Sequence, residues 1–367
     1  MTAPDYRYLV QHALTGEIIA PDVPLTDVEY GPDLNGPGAL TATLAPRVAR
    51  AMPEVADEGN VLVYVERDGV LRWGGLLWQA TPQDRSLAVE AAGWSSYLQR
   101  RYDLHGELAG RGPYVNADPC KVIRDVWAYA QSLADGDLGV AVDPVTSTAT
   151  VGTPAEPLHL NWWEEPNLGE TVDRLVEGDD SPDYTCEASW GTGGTIVRRL
   201  RLGYPRLGRR RSDISFTSGI NIIEAPPVVR SADEYAQTVI ATGAGEGRAK
   251  RRHIDSVRDG RLRMESVLAL PSVKGSDLLA ARARAERIRR QARGSVAQIR
   301  IRPDHPAAPL GSFDVGDDVY TTVHNDWTTY QGWARVTGWR VRTSSSDGEV
   351  VTVDLARADS YHYGSAA

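Results

Sequence analysis

The chain has 367 residues, of which 41% are hydrophobic and 24% are charged. This composition is typical of a folded protein with a packed core, and it excludes an intrinsically disordered chain. The formal net charge of −9 argues against a general nucleic-acid binder, which needs a basic surface. Because one hydrophobic core rarely organises so long a chain, the length predicts two to four domains.

The sequence contains no run of about 18 apolar residues that would predict a membrane-spanning helix. The first residues, Met1 to Asp5, lack the basic and apolar segments of a secretion signal. Cys120 and Cys186 lie far apart without Cys-x-x-Cys spacing, so we expect two buried thiols and neither a disulfide framework nor a zinc site.

Residues 1–95 are predicted to form a β domain. Turn residues separate its strand-like segments, which are 27–30, 39–44, 61–66, 71–79 and 86–91. In the segment at 61–66, valines alternate with Leu62 and Tyr64, and Asp68-Gly69 follows directly. Such a dipeptide after an alternating strand predicts a hairpin.

Residues 96–230 are predicted to form an α+β domain. Asp118 as N-cap and Pro119 as first helical residue begin a helix that Gly136 ends. Its expected apolar face consists of Ile123, Val126, Trp127, Ala130 and Leu133. Asn167 and Glu170 resemble a capping box before a second amphipathic helix, which Gly178 ends. Both helices should pack on a sheet made of the strand-like segments at 184–189, 195–202 and 220–225.

Residues 231–294 are predicted to be a strand at 235–242 followed by a helix that begins at Ser276 and ends at Gly294. Arginines occupy most faces of this helix, so we expect one thin apolar stripe to be buried. The stripe consists of Leu278, Ala281, Ala285, Ile288 and Ala292. Residues 295–367 are again strand and turn, with predicted strands at 296–301, 318–323, 333–342 and 349–355.

A faint internal repeat relates the two ends of the chain. The segment 58–64 is similar to 315–320, and each is followed by a strand that contains Trp and Gly, at 72–78 and 331–336. An alternating strand closes each copy, at 87–91 and 350–355. The period is too long for a solenoid, so the repeat predicts two related small β-barrels, one at each end of the chain.

The same segments carry a resemblance to a known family. The stretches 73–98, 221–247 and 315–355 resemble the hub proteins of phage tail tips, a group that includes baseplate hubs and the N-terminal part of tail-associated lysins. The order of the parts carries the resemblance: barrel, helical insert, sheet, long helix, second barrel. The fold class it implies is β-rich α+β, with two terminal barrels and an α+β middle region.

The resemblance implies a homotrimeric ring in which two similar barrels per chain present pseudo-sixfold symmetry to a sixfold tail tube. The implied partners are the distal tail protein, the tail tube, the C-terminus of the tape measure protein and other tail-tip or receptor-binding proteins, with DNA only passing through the channel. The implied location is the tail tip of the virion, assembled in the host cytoplasm. Many relatives carry a peptidoglycan-cleaving domain after the hub, whereas this sequence ends after the second barrel. We therefore expect a structural protein without catalytic, cofactor-binding or metal-binding residues.

Several residue groups have the appearance of chemical sites. The basic clusters at 206–211 and 248–253 lack interleaved aromatic residues, which favours solvated loops or protein contacts over DNA contacts. The glycine-rich segments at 191–195 and 243–247 lack the Gly-Lys-Ser/Thr ending of a phosphate loop, so we expect turns. The seven histidines are scattered without metal-ligand spacing. The arginines of the helix from Ser276 onward are expected either to meet acidic neighbours or to be solvated.

Ten tryptophans against two phenylalanines is an unusual ratio. Trp73, Trp78, Trp333 and Trp339 lie in predicted strands, which favours barrel cores or subunit interfaces. Trp162-Trp163-Glu164-Glu165 could form a sugar platform beside two carboxylates, but adjacent glutamates in an extended segment would point in opposite directions. A carbohydrate-binding tail-tip adhesin remains the alternative function, and a cell-wall hydrolase is the third hypothesis.

Overall fold

The computed structural model describes residues 4–177, 181–224, 226–233, 235–271, 273–291, 294–344 and 348–358. Within these ranges the chain forms eighteen strands, arranged in three sheets, six α-helices and four short 3₁₀ helices. Strands outnumber helices in the chain as a whole, and the helices are concentrated in its middle. The predicted β-rich α+β class is confirmed.

The N-terminal part is a run of antiparallel strands with one short helix. Its elements are β1 (Tyr6–His12), β2 (Ile18–Ala20), β3 (Leu25–Gly31), β4 (Ala39–Leu44), α1 (Pro46–Ala51), β5 (Val61–Arg67), β6 (Val70–Gln83) and β7 (Ser86–Ala92). The hairpin between β5 and β6 forms at Asp68 and Gly69, both of which adopt positive φ angles. This is the left-handed two-residue turn that the Asp-Gly dipeptide predicts.

The middle part contains most of the helices and a three-stranded sheet. Its elements are α2 (Ser95–Leu98), α3 (Glu107–Gly110), α4 (Pro119–Ser132), β8 (Val140–Val142), α5 (Leu168–Val176), β9 (Asp183–Trp190) and β10 (Ile196–Gly203). Both N-caps form, because the Asp118 side chain accepts a hydrogen bond from the Cys120 amide at 2.8 Å and the Asn167 side chain accepts one from the Glu170 amide at 3.1 Å. Trp127 of α4 and Leu200 of β10 lie in one buried cluster, so the helices pack on a sheet as expected.

The remaining elements return to strand structure. They are β11 (Arg210–Thr217), β12 (Thr238–Thr242), β13 (Arg252–Ser256), β14 (Glu265–Ala269), α6 (Ser276–Gln291), β15 (Gln298–Ile301), β16 (Asp318–His324), β17 (Thr329–Ser344) and β18 (Gly348–Arg357). The strand predicted at 220–225 is wrong for residues 220–224, and Ala225 lies outside the described residues. The buried Asn221 side chain accepts from the Thr217 amide and donates to the Ser215 carbonyl, which folds this segment into a turn after β11.

Strands from both ends of the chain join one twelve-stranded sheet. The junction is formed by β17 and β3, which pair at Val341 with Tyr30 and at Arg342 with Glu29. Gly31 permits this approach, since a Cβ atom there would lie 1.7 Å from the Trp339 carbonyl oxygen. Side chains of both ends then share a single hydrophobic cluster.

The predicted pair of closed barrels is not confirmed. Within the described ranges the strands of the two ends form one continuous open sheet. The physical reason is the length of β17, which has 16 residues. Its first half pairs with β16, while its second half pairs with β18 and also reaches β3. The C-terminal strands therefore find their neighbour in the N-terminal part and do not close on themselves.

The two halves of the internal repeat have the same local topology. Strands β5, β6 and β7 form an antiparallel meander, and so do β16, β17 and β18. The middle strand is long in both, with 14 residues in β6 and 16 in β17. Each middle strand changes register against the last strand, between Leu77 and Gln79 in one copy and between Val336 and Gly338 in the other. A bulge of this kind bends a long strand.

A small α/β unit lies between the middle part and the C-terminal strands. Its sheet has the order β13-β12-β14, and α6 packs against one face. The predicted buried stripe of α6 is wrong, because Leu278 is 51% exposed and Ile288 is 48% exposed. The buried residues are Leu279 and Ala283, and Arg287 on the same face pairs with Asp255 of β13 at 2.6 Å. Ala292 of the predicted stripe lies outside the described residues.

Candidate interaction surfaces

Buried ion pairs fix the interior of the molecule. Arg335 of β17 contacts the carboxylate of Asp183 in β9 at 2.6 Å, and both side chains are largely buried. Arg67 of β5 contacts Glu349 of β18 at 2.8 Å, and the Tyr6 hydroxyl donates to the same carboxylate. These pairs connect segments that are far apart in sequence. The ion pairs therefore fix the positions of β9 against β17 and of β5 against β18, and these strands support the surfaces of the molecule.

The four strand tryptophans divide between core and surface. Trp73 and Trp339 are buried in the cluster shared by the two ends. Trp78 is half-buried and donates its indole hydrogen to the Ser96 hydroxyl at 2.7 Å. Trp333 is also half-buried, with the Arg210 guanidinium 4.5 Å from its ring centroid. Two of the four strand tryptophans, Trp73 and Trp339, are therefore core residues.

Trp162 and Trp163 form an exposed aromatic pair. Their side chains are 60% and 64% exposed, and their ring centroids are 5.9 Å apart with planes at 84°. The segment is a 3₁₀ turn, Trp162–Glu164, so the expectation of an extended backbone is wrong. Glu165 follows in the left-handed region, and its amide donates a hydrogen bond to the Trp162 carbonyl at 3.1 Å, which closes the turn. Perpendicular rings do not offer one continuous flat platform to a sugar.

The glycine-rich segments contain backbone amides that bond within the chain. Gly243 donates to the Arg251 carbonyl at 2.8 Å, and Ala244 donates to that of Val273 at 2.9 Å. Gly191 donates to Thr195 at 2.8 Å. These three backbone donors bond within the chain and are therefore not available to hold a phosphate.

Metal-binding and membrane-spanning features are not found among the described residues. No group of three His, Cys, Asp or Glu side chains comes together there as a metal site. His105 instead shares a hydrogen bond with the Tyr129 hydroxyl at 2.9 Å, and His159 lies 2.8 Å from Glu107. In the same ranges, no helix has the length and apolar content that a membrane span requires.

An arginine-lined cavity lies where the small α/β unit meets the rest of the molecule. Its volume is about 420 Å³. Its polar lining consists of five arginines and one glutamate: Arg206, Arg282, Arg289, Arg290, Arg357 and Glu286. Its apolar lining includes Val267 and Leu268 of β14. Among these lining residues arginines outnumber carboxylates by five to one.

The carboxylate in this cavity is held in its ionised form. Burial would raise the pKa of Glu286, but hydrogen bonds from Arg289 and Arg290 outweigh it and lower the pKa below its ordinary value. The contacts of Glu286 with Arg289 and Arg290 are 2.5 Å and 2.7 Å. Glu286 thereby fixes two of the five guanidinium groups at the cavity wall.

The basic cluster predicted at 206–211 contributes only partly to this cavity. Arg206 lines it, whereas Arg211 bonds to Asp213 at 2.6 Å and lies 3.5 Å from Asp317. The sequence did not reveal the cavity, because its arginines come from the segment after β10, from α6 and from the end of β18. Their convergence depends on how the three parts pack.

Trp327 is a second surface feature that the sequence reasoning missed. It lies in the turn between β16 and β17 and is 91% exposed. The Asn325 side chain accepts hydrogen bonds from the amides of Trp327 and Thr328 at 3.0 and 2.9 Å, which shapes the turn. An indole so fully in water is typical of a side chain that becomes covered in an assembly.

Comparison with known proteins addresses the fold as a whole. No model of a known protein family matches the sequence, and no curated protein matches it. Solved structures do match. The 43 kDa tail protein of prophage MuSo2 from Shewanella oneidensis superposes with a TM-score of 0.57 at 14% identity, over 97% of this chain and 98% of that chain. The tail protein from Neisseria meningitidis MC58 gives 0.55 at 13% identity, over 95% of this chain and 96% of that chain.

A third match is prophage tail protein gp18 from Listeria monocytogenes EGD-e, with a TM-score of 0.53 at 9% identity, over 95% of this chain and 94% of that chain. The chain has the fold of a phage tail protein. The resemblance inferred from the sequence is therefore confirmed at the level of the fold. The likeness extends over nearly the full length of each of these tail proteins, so it includes the middle part and the small α/β unit as well as the large sheet.

Proposed function

We propose that the chain is a structural hub protein of a phage tail tip. One observation carries the proposal: the fold matches phage tail proteins along nearly the whole of both chains. In this role the protein joins the tail tube to the tip, surrounds the channel through which DNA passes, and has no enzymatic activity. Its location is the virion, and its partners are the distal tail protein, the tail tube, the tape measure protein and other tip proteins.

The proposed assembly is a homotrimeric ring. The duplicated meander supports it, since β5 to β7 and β16 to β18 share their order, their long middle strand and their bulge. Three chains that each carry two similar units present six similar positions to a sixfold tube. The proposed division of the chain is 1–95 and 295–367 as the two similar units, with 96–230 as the middle domain and 231–294 as the connection.

The first test is a mass measurement on the purified protein. Native mass spectrometry should detect a species of three chains of 40.0 kDa each, and cryo-electron microscopy of the particle should place the protein on the tail axis. Trp327→Ala is a suitable variant for assembly, because its indole is exposed and the substitution leaves the core unchanged. A position off the axis in the particle would contradict the hub proposal.

The adhesin alternative depends on Trp162 and Trp163, the exposed aromatic pair. It predicts that the isolated chain binds host glycans and that the double variant Trp162→Ala/Trp163→Ala no longer does. The perpendicular geometry of the two rings favours the structural proposal over this one. A glycan array with both proteins separates the two functions, because the hub proposal expects no signal from either.

A further inference from the structure

The outer edge of β14 is open beside the arginine-lined cavity. In the three-stranded sheet β14 pairs only with β12, and within the described ranges no strand or isolated bridge occupies its other side. The cavity touches both Val267 and Leu268. Consecutive strand residues point to opposite faces of a sheet, and contact with both fits a cavity that lies along the strand edge. An open edge carries a row of backbone donors and acceptors.

The two faces at this edge differ in chemistry. Leu268 packs against the cluster beneath α6, the helix that supplies Arg282, Arg289 and Arg290 to the cavity. Val267 points to the opposite face, where it is 66% exposed. On that face Ile240 is the register partner of both Ile254 and Val267, so an apolar row crosses all three strands. A strand added beside β14 would therefore meet arginine side chains on one face and extend an apolar row on the other.

We propose that this edge binds an extended segment of a partner polypeptide in which acidic and apolar residues alternate. The segment pairs with β14 as a fourth strand, a known mode of peptide recognition. Its carboxylates contact the arginines of α6 together with Arg206 and Arg357. A planar guanidinium group can donate two parallel hydrogen bonds to one carboxylate. Its apolar residues continue the row from Ile254 through Ile240 to Val267. The inference goes beyond the hub role, because the strand edge and the cavity belong to a single chain and do not require the proposed ring.

The strand edge and the apolar row favour a peptide over a nucleic acid. Phosphates would also bind the arginines, so the arginines alone do not separate a peptide from a nucleic acid. Neither DNA nor a phosphate ion would use the strand edge or the apolar row. Those two features distinguish a polypeptide from every other anion.

The test uses the full-length protein and a fluorescein-labelled probe peptide, Glu-Val-Glu-Val-Glu-Val, with Lys-Val-Lys-Val-Lys-Val as its charge control. Fluorescence anisotropy should show binding of the acidic peptide only, and the affinity should fall as NaCl is raised. Arg206→Gln and Arg282→Gln should each weaken binding about tenfold. Arg284→Gln, an exposed arginine of α6 that does not line the cavity, should leave binding unchanged.

Strand pairing is tested separately on the unchanged protein with two methylated peptides. One carries N-methyl groups on its three glutamates, and the other carries them on its three valines. Alternate amides of a strand face one edge, so one of the two peptides should lose at least about tenfold in affinity while the other keeps it. Equal binding of both would overturn the proposal. Tight binding of tripolyphosphate or duplex DNA without peptide binding would also overturn it, as would arginine-dependent self-association without peptide binding.

Discussion

Asp183 is the residue at which three parts of the molecule meet. Its carboxylate contacts Arg335 of β17, accepts a hydrogen bond from the Leu207 amide at 2.9 Å and accepts one from the Asn35 side chain at 3.0 Å. A buried charge with this many partners is stable only while the partners stay in place. Asp183 therefore specifies how the middle part sits against the large sheet more than it adds to stability.

Both cysteines are expected to be unreactive in the folded protein. Burial raises the pKa of each thiol from 9.0 to about 11, and for Cys120 the nearby Asp118 carboxylate acts in the same direction. At pH 9 the folded protein should therefore react with iodoacetamide at least about tenfold more slowly than the urea-unfolded protein, because the thiolate is the nucleophile. Mass spectrometry of alkylated samples over time measures both rates.

The same pKa values set a pH dependence of stability. A group whose pKa is raised on folding stabilises the fold fully below its ordinary value and loses that contribution as the pH rises through the folded value. The contribution of the two thiols to the free energy of unfolding should thus decline between about pH 9 and pH 11. The double variant Cys120→Ala/Cys186→Ala serves as the control, since it lacks this part of the decline. Equal alkylation rates in folded and unfolded protein would contradict the prediction.

At the scale of elements, α6 shows how a helix can bury an unexpected face. Its sequence offers small or apolar residues on more than one face, and its arginines surround all of them. The face around Leu279 and Ala283 is the one that is buried, because Ala283 allows close approach to the sheet and Arg287 forms an ion pair with Asp255. Neither the close approach at Ala283 nor the Arg287–Asp255 pair can be predicted from the helix sequence before the positions of the neighbouring strands are known.

A matched pair of substitutions tests this orientation. Leu279→Ala should destabilise the small α/β unit by about 2–5 kcal/mol, because it removes a buried side chain and leaves a cavity. Leu278→Ala, one residue earlier and 51% exposed, should change stability by less than about 0.5 kcal/mol. Hydrogen exchange of the β12 amides reports the stability of this unit directly. The reverse order of effects would mean that α6 is rotated relative to the orientation described.

The strands that the sequence predicted are those in which one pattern dominates. The hairpin of β5 and β6 was predicted because its turn dipeptide is specific, and the N-caps of α4 and α5 for the same reason. Strand β1 was missed because both of its faces are buried: Tyr8 and Val10 lie in one cluster and Leu9 lies in another. Strands β13 and β14 were missed because they are short and largely exposed.

At the scale of the whole molecule, the contact between the two ends decides the architecture. Pairing of β17 with β3 joins residues about 300 positions apart, and no local pattern specifies it. This is why the sequence predicted the order of the parts and the fold class but not the open sheet. The arginine-lined cavity escaped prediction for the same reason, since its walls come from three separate segments.

Gly31→Ala tests the junction. The new Cβ would collide with the Trp339 carbonyl, so the two strands must separate locally, and we expect a loss of stability above the roughly 1–3 kcal/mol typical of overpacking. Gly275→Ala is the matched control, because its Cβ would make only an ordinary contact of 3.8 Å with Leu278. Urea denaturation followed by tryptophan fluorescence measures both. If the free energy of unfolding of Gly31→Ala were unchanged, the pairing of β3 with β17 would not require the close approach of Gly31 to the Trp339 carbonyl.

Strand β5 separates two hydrophobic interiors. Its valines, Val61, Val63 and Val65, face the cluster shared by the two ends, while Leu62 and Tyr64 face the cluster of the helical middle part. A force applied to the helices therefore reaches the large sheet through a single thickness of backbone, with no intervening layer to absorb it. We therefore expect the middle part and the sheet to respond to force as a single mechanical element.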